Sequence, residues 1–274
     1  MRLIVTTTPA PPPRLVARAR AVAQRCGARY APRSGTLART VRRAGGDLAY
    51  VVARGREQLQ DGAEVLYVHP GMFYYKRGDG RRHPLIRALA PAAAAPLTRV
   101  VDATLGLAGD ALHAASVLGV EVAGVEGSPV LASLLEEGLA RLAAEGAPWS
   151  AGAARVSVAH GGGAEVLAGM AAHSADAVYL DPMFDVPLSG PPGLSLLRRV
   201  AVTAPLSEAL VAQAWRVAAR RVVLKLPGRA APPKVTAGPG WNRRVRGKAV
   251  DYLVIEAELQ APEYEAPDLG SGSH

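Results

Sequence analysis

The residues with the clearest chemical potential form the tetrapeptide Asp181-Pro182-Met183-Phe184, which follows a very apolar segment. The carboxylate of Asp181 and the main-chain carbonyl of Pro182 can both accept hydrogens from an NH2 group, and the Phe184 ring can stack on a planar base. This arrangement would direct the nitrogen lone pair at an electrophile, so that positioning supplies much of the rate. Asp181 is also the nearest acceptor for the departing proton. We therefore assign Asp181, Pro182 and Phe184 as catalytic candidates.

A second group of polar and small residues follows two apolar segments further upstream. A carboxylate in the position of Glu126, at the end of the second segment, commonly accepts hydrogen bonds from both ribose hydroxyls. Small residues after Asp102, which ends the first segment, let the backbone approach a nucleoside. Asp110 could accept a hydrogen bond from an ammonium group. The cofactor-binding candidates here are Asp102, Gly106, Gly109, Asp110 and Glu126.

The loop after Asp102 lacks the complete G-x-G-x-x-G fingerprint of dinucleotide-binding proteins. Asp110 would repel a phosphate, but it suits the amino-acid end of S-adenosylmethionine, whose adenosyl group carries no phosphate. Further along, Gly161 and Gly162 offer backbone amides with no side chain to obstruct an adenine ring, and we interpret the preceding His160 as structural. The predicted cofactor is therefore S-adenosylmethionine, with S-adenosylhomocysteine as the product.

Short apolar segments alternate with amphipathic ones from residue 99 onward, which predicts strands separated by helices. Strands are expected over 99–103, 120–125, 155–160, 177–180 and 221–226, with helices between them. One of these helices should begin with Ser128 as its cap and Pro129 as its first residue. Strands that are apolar throughout form a parallel sheet covered on both faces, and ligands bind at the carboxyl ends of such strands. Two final strands, at 241–245 and 249–257, should add an antiparallel hairpin. We predict a doubly wound, mostly parallel α/β domain.

The positive charge is concentrated in the first third of the chain. The net charge is +9, and residues 1–99 hold 18 Lys and Arg against 5 Asp and Glu. We expect strands here at 3–7, 47–53 and 63–69, the last two separated by a polar turn, and a helix that begins at Pro13. These elements predict a small basic α/β domain over residues 1–90, which suits a polyanionic partner.

An aromatic and basic stretch closes this first domain. Its rings could stack on unpaired RNA bases while guanidinium groups bind phosphates; packing of the rings in an edge strand is the alternative. The RNA-binding candidates here are Tyr74, Arg77, Arg81 and Arg82.

Composition excludes several classes of protein. With 49% hydrophobic and 20% charged residues, the chain is expected to fold. No uncharged run is long enough to cross a bilayer as a helix, and the opening residues lack a secretory signal, so a cytoplasmic location is expected. The single Cys26 excludes an internal disulfide, and the scattered histidines argue against a metal site. We expect a linker at 91–98, a catalytic domain at 99–262 and a tail at 263–274 that ends in a purification-tag remnant.

Three segments together resemble a known family. VVDATLGLAGDALHAASVLG, VEVAGVEGSPVLASLLEEGLAR and AVYLDPMF are similar to ribosomal RNA small subunit methyltransferase J, a class I S-adenosylmethionine-dependent enzyme that methylates guanine N2 in 16S RNA. The tetrapeptide also resembles the (D/N)PP(Y/F) motif of methyltransferases that modify exocyclic amino groups. The resemblance covers roughly residues 67–226 and implies a Rossmann-like fold. It implies cofactor contacts at Gly109, Asp110, Glu126, Gly127, Gly161, Gly162 and Asp181. Lys225 matches a basic residue of the family, and we add it to the RNA-binding candidates.

The chain also departs from this family. Ala108 stands where the family has glycine, Gly109 and Gly127 replace basic residues, and the first sixty residues match poorly, which indicates a related, uncharacterised bacterial branch. Our leading hypothesis is an N-methyltransferase acting on guanine N2 in ribosomal RNA, with RNA or a ribosomal subunit as partner. The alternatives are methylation of adenine in DNA or of a protein amide, and an RNA-binding protein whose methyltransferase-like domain has lost its cofactor. The sequence leaves the oligomeric state open.

Overall fold

The computed structural model describes residues 1–70, 78–91, 95–182, 194–202 and 205–256. The aromatic stretch at 71–77, the residues Met183 and Phe184, and the chain from residue 257 onward are outside these ranges. The predictions made for Tyr74, Arg77 and Phe184 therefore fall outside the described residues.

The first part of the chain folds around a small mixed sheet. Its elements are β1 (Leu3–Thr7), α1 (Pro13–Arg25), β2 (Arg29–Tyr30), α2 (Leu37–Arg43), β3 (Leu48–Val52), β4 (Gln58–Gln60) and β5 (Val65–Leu66). Among the described residues the strand order is β2-β1-β3-β4-β5, with β1 parallel to β2 and β3. Strands β4 and β5 follow in antiparallel orientation.

Strand β4 corrects one sequence prediction. We expected only a polar turn between the second and third strands of this unit, but Gln58–Gln60 pairs with β3. The two glutamines hide the strand from a pattern search, whereas Leu59, which pairs with Tyr50, is fully buried. The conformation of a strand of three residues depends on pairing with its neighbour more than on its own composition.

The second part of the chain forms a larger sheet between helices. Its strands are β6 (Arg99–Asp102), β7 (Glu121–Glu126), β8 (Val156–His160), β9 (Ala175–Leu180), β10 (Ala218–Pro227), β11 (Arg243–Arg246) and β12 (Val250–Glu256). Its helices are α3 (Pro84–Leu89), α4 (Gly109–Leu118), α5 (Pro129–Ala144), α6 (Ser150–Ala153), α7 (Gly163–Ala168), α8 (Leu194–Val200) and α9 (Glu208–Val217). Within the described residues the strand order is β8-β7-β6-β9-β10-β12-β11.

The order in which strands are added to this sheet reverses at β6. Strands β6, β7 and β8 run outward on one side, and β9 and β10 lie on the other, all of them parallel. The predicted closing hairpin is present, and its second strand, β12, pairs antiparallel with both β10 and β11. This architecture confirms the predicted doubly wound, mostly parallel fold, whose switch point lies at the carboxyl ends of β6 and β9.

Helix α5 joins the two sheets. It begins as its sequence predicts, because Ser128 accepts a hydrogen bond from the Leu131 amide and Pro129 occupies the first turn. Gly138 allows the close approach of the first unit, since a Cβ there would lie 2.3 Å from the Cβ of Val68. Side chains of both units share one hydrophobic core. The boundary at residues 91–98 stays a prediction.

No helix in the described parts of the chain is both long and apolar enough to span a membrane.

Candidate active site at the carboxyl edge of the larger sheet

The loop after β6 is built around a buried carboxyl group. Asp102 is 2% exposed, and its Oδ1 accepts a hydrogen bond from the Thr104 amide at 3.0 Å. Burial raises the pKa of Asp102 to about 8, with a smaller contribution from the negative charges of Asp110 and Asp181. The carboxyl group is therefore mostly protonated at neutral pH.

Glu126, at the end of β7, accepts hydrogen bonds from the loops after β6 and β7. One carboxylate oxygen accepts from the Gly106 amide at 3.0 Å and the other from the Ser128 amide at 2.8 Å. The side chain is 7% exposed, and burial raises its pKa above the ordinary value. Gly106 reaches this position with a positive φ of 55°, which suits glycine. The carboxylate is thus fixed in orientation at the point where a ribose diol would be bound.

Lys225 is the centre of an ion-pair network at the same edge. Its Nζ lies 3.0 Å from Oδ2 of Asp110 and 2.7 Å from Oδ2 of Asp181. The Tyr179 hydroxyl donates to the same Asp110 oxygen at 2.8 Å, and the Asp181 amide donates to Thr104 Oγ1 at 2.6 Å. Side chains of β9 and β10 therefore contact the two carboxylates, and the loop after β6 holds the main chain of Asp181.

The charge states in this network follow from its surroundings. Burial lowers the pKa of Lys225, but the carboxylates of Asp110 and Asp181 outweigh it and raise the pKa above the ordinary value. Burial raises the pKa of Tyr179, and the charge of Asp110 adds to this, so the phenol keeps its proton. Lys225 is therefore charged and bridges the carboxylates of Asp110 and Asp181.

The third loop brings three successive glycines to the edge. The Gly161 amide donates to the carbonyl of Glu126 at 3.0 Å. A Cβ on Gly163 would lie 2.7 Å from the carbonyl oxygen of Ala103. A larger residue at this position would push the loop after β8 away from the loop after β6, so glycine is needed for the two loops to meet.

The sequence-predicted residues fall into three groups: those at the carboxyl edge, those that are exposed, and Tyr74, Arg77 and Phe184, which lie outside the described residues. The carboxyl edge holds Asp102, Gly106, Gly109, Asp110, Glu126, Gly127, Gly161, Gly162, Asp181, Pro182 and Lys225. Arg81 and Arg82 are exposed in a short 3-10 turn that precedes α3, and His160 is also exposed. Lys225, assigned to RNA from the sequence, instead pairs with carboxylates of the site.

The sequence analysis missed Thr104 and Tyr179, whose hydroxyl groups hold Asp181 and Asp110 respectively. It also missed Val202, whose Cβ would lie 3.3 Å from a Cβ on Gly127. A hydroxyl two residues after Asp102 was the only local signal for Thr104.

The donor set fits S-adenosylmethionine by its chemistry. Glu126 offers a fixed carboxylate for a ribose diol, and Asp110 offers an acceptor for an ammonium group. The glycines at 161 and 162 present backbone without side chains beside this edge. The fold and this edge together define a class I, Rossmann-like methyltransferase domain.

Comparison with known proteins identifies the family. Residues 54–246 match the family described as "Putative SAM-dependent methyltransferase", and the chain belongs to this family, whose cofactor is S-adenosylmethionine. A crystal structure of a SAM-dependent methyltransferase from Neisseria gonorrhoeae has the same fold, with a TM-score of 0.64, 24% identity and coverage of 99% of this chain and 100% of that one.

Curated relatives carry the name ribosomal RNA small subunit methyltransferase J. The protein from Brucella anthropi is 35% identical over 199 residues, which cover 68% of this chain and 89% of that protein. The protein from Alteromonas mediterranea is 36% identical over 171 residues, which cover 61% of this chain and 64% of that protein. The chain thus spans less than two thirds of the Alteromonas protein. These matches confirm the family resemblance stated from the sequence.

Proposed function

We propose that this protein transfers a methyl group from S-adenosylmethionine to an exocyclic amino group of an RNA base, with guanine N2 in ribosomal RNA as the preferred target. The observation that carries the proposal is the Asp181 carboxylate, held 2.7 Å from Lys225 next to the cofactor-binding loops. The names of the relatives support ribosomal RNA as the substrate class. The proposal includes a cytoplasmic location.

The side chains around Asp181 supply positioning. Lys225 restrains one carboxylate oxygen, and the Thr104 hydroxyl accepts from the Asp181 amide, so the main chain at Pro182 is fixed as well. Asp181 and the Pro182 carbonyl can then accept the two hydrogens of an NH2 group and orient its lone pair. The bound cofactor supplies a methyl sulfonium, which is electrophile enough that the protein need not provide a strong base. Asp181 receives the proton after transfer.

Methyl transfer to RNA tests the proposal directly. Ribosomal RNA from a strain without the gene should accept a methyl group from the purified protein, and mass mapping should locate it on a guanine. Asp181→Ala should reduce kcat by about 100-fold or more, the range observed when one interaction with the transition state is removed. Asp181→Asn, which keeps an acceptor oxygen, should lose less.

The matched control is Glu121→Ala, since Glu121 is an exposed acid at the opposite edge of the same sheet. It should leave kcat unchanged. Cofactor binding without transfer to any RNA would overturn the proposal. Transfer to DNA adenine or to a protein amide would replace the substrate class, and unchanged turnover of Asp181→Ala would remove its assigned role.

A further inference from the structure

The two edges of the small sheet are defined by its parallel strands. β1, β2 and β3 begin at one edge, here called the amino edge, and end at the other, the carboxyl edge. The turn at residues 61–64 also lies at the amino edge, because Gln60 pairs with Ala49 near the start of β3. The loop at 53–57, after β3, lies at the carboxyl edge.

Two interactions bring the amino edge next to the cofactor-binding loops. Cys26, where α1 ends, lies with its Sγ 3.6 Å from the carbonyl oxygen of Pro129, just after the loop that contains Glu126. Asp61 pairs with Arg199 of α8 at 2.6 Å. Helix α8 leads directly to Val202, which adjoins Gly127.

Helix α5 shows that the carboxyl edge is further away. The main chain of Glu57, in the loop after β3, hydrogen-bonds Glu137, whereas Cys26 contacts Pro129. These positions are eight residues apart on one helix, about 12 Å at 1.5 Å per residue. Pro129 is at the cofactor end of this helix, so the amino edge is the one beside the site.

The amino edge carries positive charge that its acids do not neutralise. Arg29 and Arg42 are exposed, and within the described residues neither has an acidic partner. Of the acids at this edge, Asp47 pairs with Arg2 and Asp61 with Arg199. Glu64, in the same turn as Asp61, accepts a hydrogen bond from the Ser195 hydroxyl. Exposed guanidinium groups without a counter-charge favour a phosphodiester backbone.

We propose that the amino edge of the small sheet binds the RNA backbone through Arg29 and Arg42. The proposal rests on the proposed function and names the surface that the substrate uses. The sequence analysis predicted a polyanionic partner for the whole basic domain at 1–90 and named RNA-binding candidates at 74–82; the proposal adds a specific surface outside that segment.

The small sheet offers a matched control for this surface. Arg14, in the first turn of α1, and Arg54, two residues after β3, lie at the carboxyl edge. Both are exposed and have no acidic partner within the described residues. The double variants Arg29→Gln/Arg42→Gln and Arg14→Gln/Arg54→Gln therefore change the net charge equally on one sheet.

The experiment measures binding to the 16S RNA substrate between about 0.05 and about 0.4 M KCl, together with KM and kcat for methyl transfer. Removing one arginine–phosphate interaction should reduce the slope of log K against log salt by about 0.7, so the amino-edge variant should show a slope about 1.4 smaller and bind about 10-fold more weakly near 0.15 M. Its KM should rise while kcat at saturating RNA is unchanged. The carboxyl-edge variant should match the wild type.

Equal slopes and KM values for the two variants would overturn the assignment of this surface. A wild-type protein that binds cofactor but methylates no RNA would instead overturn the proposed function, so the two failures are distinguishable. Thermal unfolding of both variants shows whether either change acts through the fold.

Discussion

The carboxyl edge of the large sheet and the amino edge of the small sheet differ in whether their charged side chains are paired and buried. At the first, Lys225 lies within 3.0 Å of two carboxylates, and Asp102 is 2% exposed. At the second, Arg29 and Arg42 are exposed and have no acidic partner in the described part of the chain.

This difference separates chemistry from substrate attraction. Buried charges interact strongly over short distances and depend on geometry, whereas exposed charges are screened by salt within about 10 Å at 0.1 M ionic strength. We expect changes at the large-sheet edge to alter stability and turnover, and changes at the small-sheet edge to alter salt-dependent binding. Two paired substitutions test this contrast, and a third pair compares backbone strain in the two parts of the chain.

The largest difference is expected between Lys225→Met and Arg42→Met. Removing Lys225 leaves Asp110 and Asp181 close together without their shared cation, which should lower the free energy of unfolding by about 3 kcal/mol. Arg42→Met removes an exposed charge and should change it by less than about 0.5 kcal/mol. Urea unfolding of both variants measures this, and equal losses would contradict the contrast.

A smaller difference is expected in the pH dependence of Asp102→Asn and Asp47→Asn. Because the folded pKa of Asp102 is about 8, the folded wild type retains a proton that the unfolded chain has lost between the ordinary carboxyl pKa and pH 8. Wild-type stability therefore falls as pH rises through this window, by about 1.4 kcal/mol per unit. Relative to Asp102→Asn, the wild type should lose about 2 kcal/mol between about pH 6 and pH 8.

Asp47 provides the opposite sign. Hydrogen bonds from the Arg2 main chain and side chain lower its pKa, so its contribution is present above the ordinary carboxyl pKa and is lost only as pH falls below it. The stability difference between wild type and Asp47→Asn should be constant from about pH 6 to about pH 8. If the stability difference between wild type and Asp102→Asn is also constant over this pH range, Asp102 is ionised in the folded protein.

The smallest effect is expected from relieving backbone strain. Ala108 has a φ of 58° and Ala10 a φ of 49°, both in the left-handed region that disfavours residues with a Cβ. Ala108→Gly and Ala10→Gly should each stabilise the protein by about 1 kcal/mol or less. Only Ala108→Gly should also change the affinity for S-adenosylmethionine, because Ala108 immediately precedes α4 in the cofactor loop. Calorimetric titration checks this, and equal affinities would show that the loop already has its binding geometry.

Much of the candidate site could be predicted because it follows strand ends. Asp102, Glu126 and Asp181 each come directly after an apolar segment, and the carboxyl ends of parallel strands meet at one edge. The cap at Ser128 and the proline after it also predicted the start of α5 correctly. By contrast, β4 could not be predicted, since its glutamines carry no strand pattern and its pairing with β3 decides its conformation.

The chain's own composition and periodicity determined the order of strands and helices, the basic first third, and the loops that carry acids and glycines. These features are local, because hydrophobic spacing and capping act over a few residues. Only the tertiary structure decided that Lys225 lies between Asp110, 115 positions away, and Asp181, 44 positions away. It alone also placed the amino edge of the small sheet next to the start of α5, where Cys26 lies beside Pro129. Interactions between residues so far apart depend on how the two sheets pack through α5, and no local pattern encodes that packing.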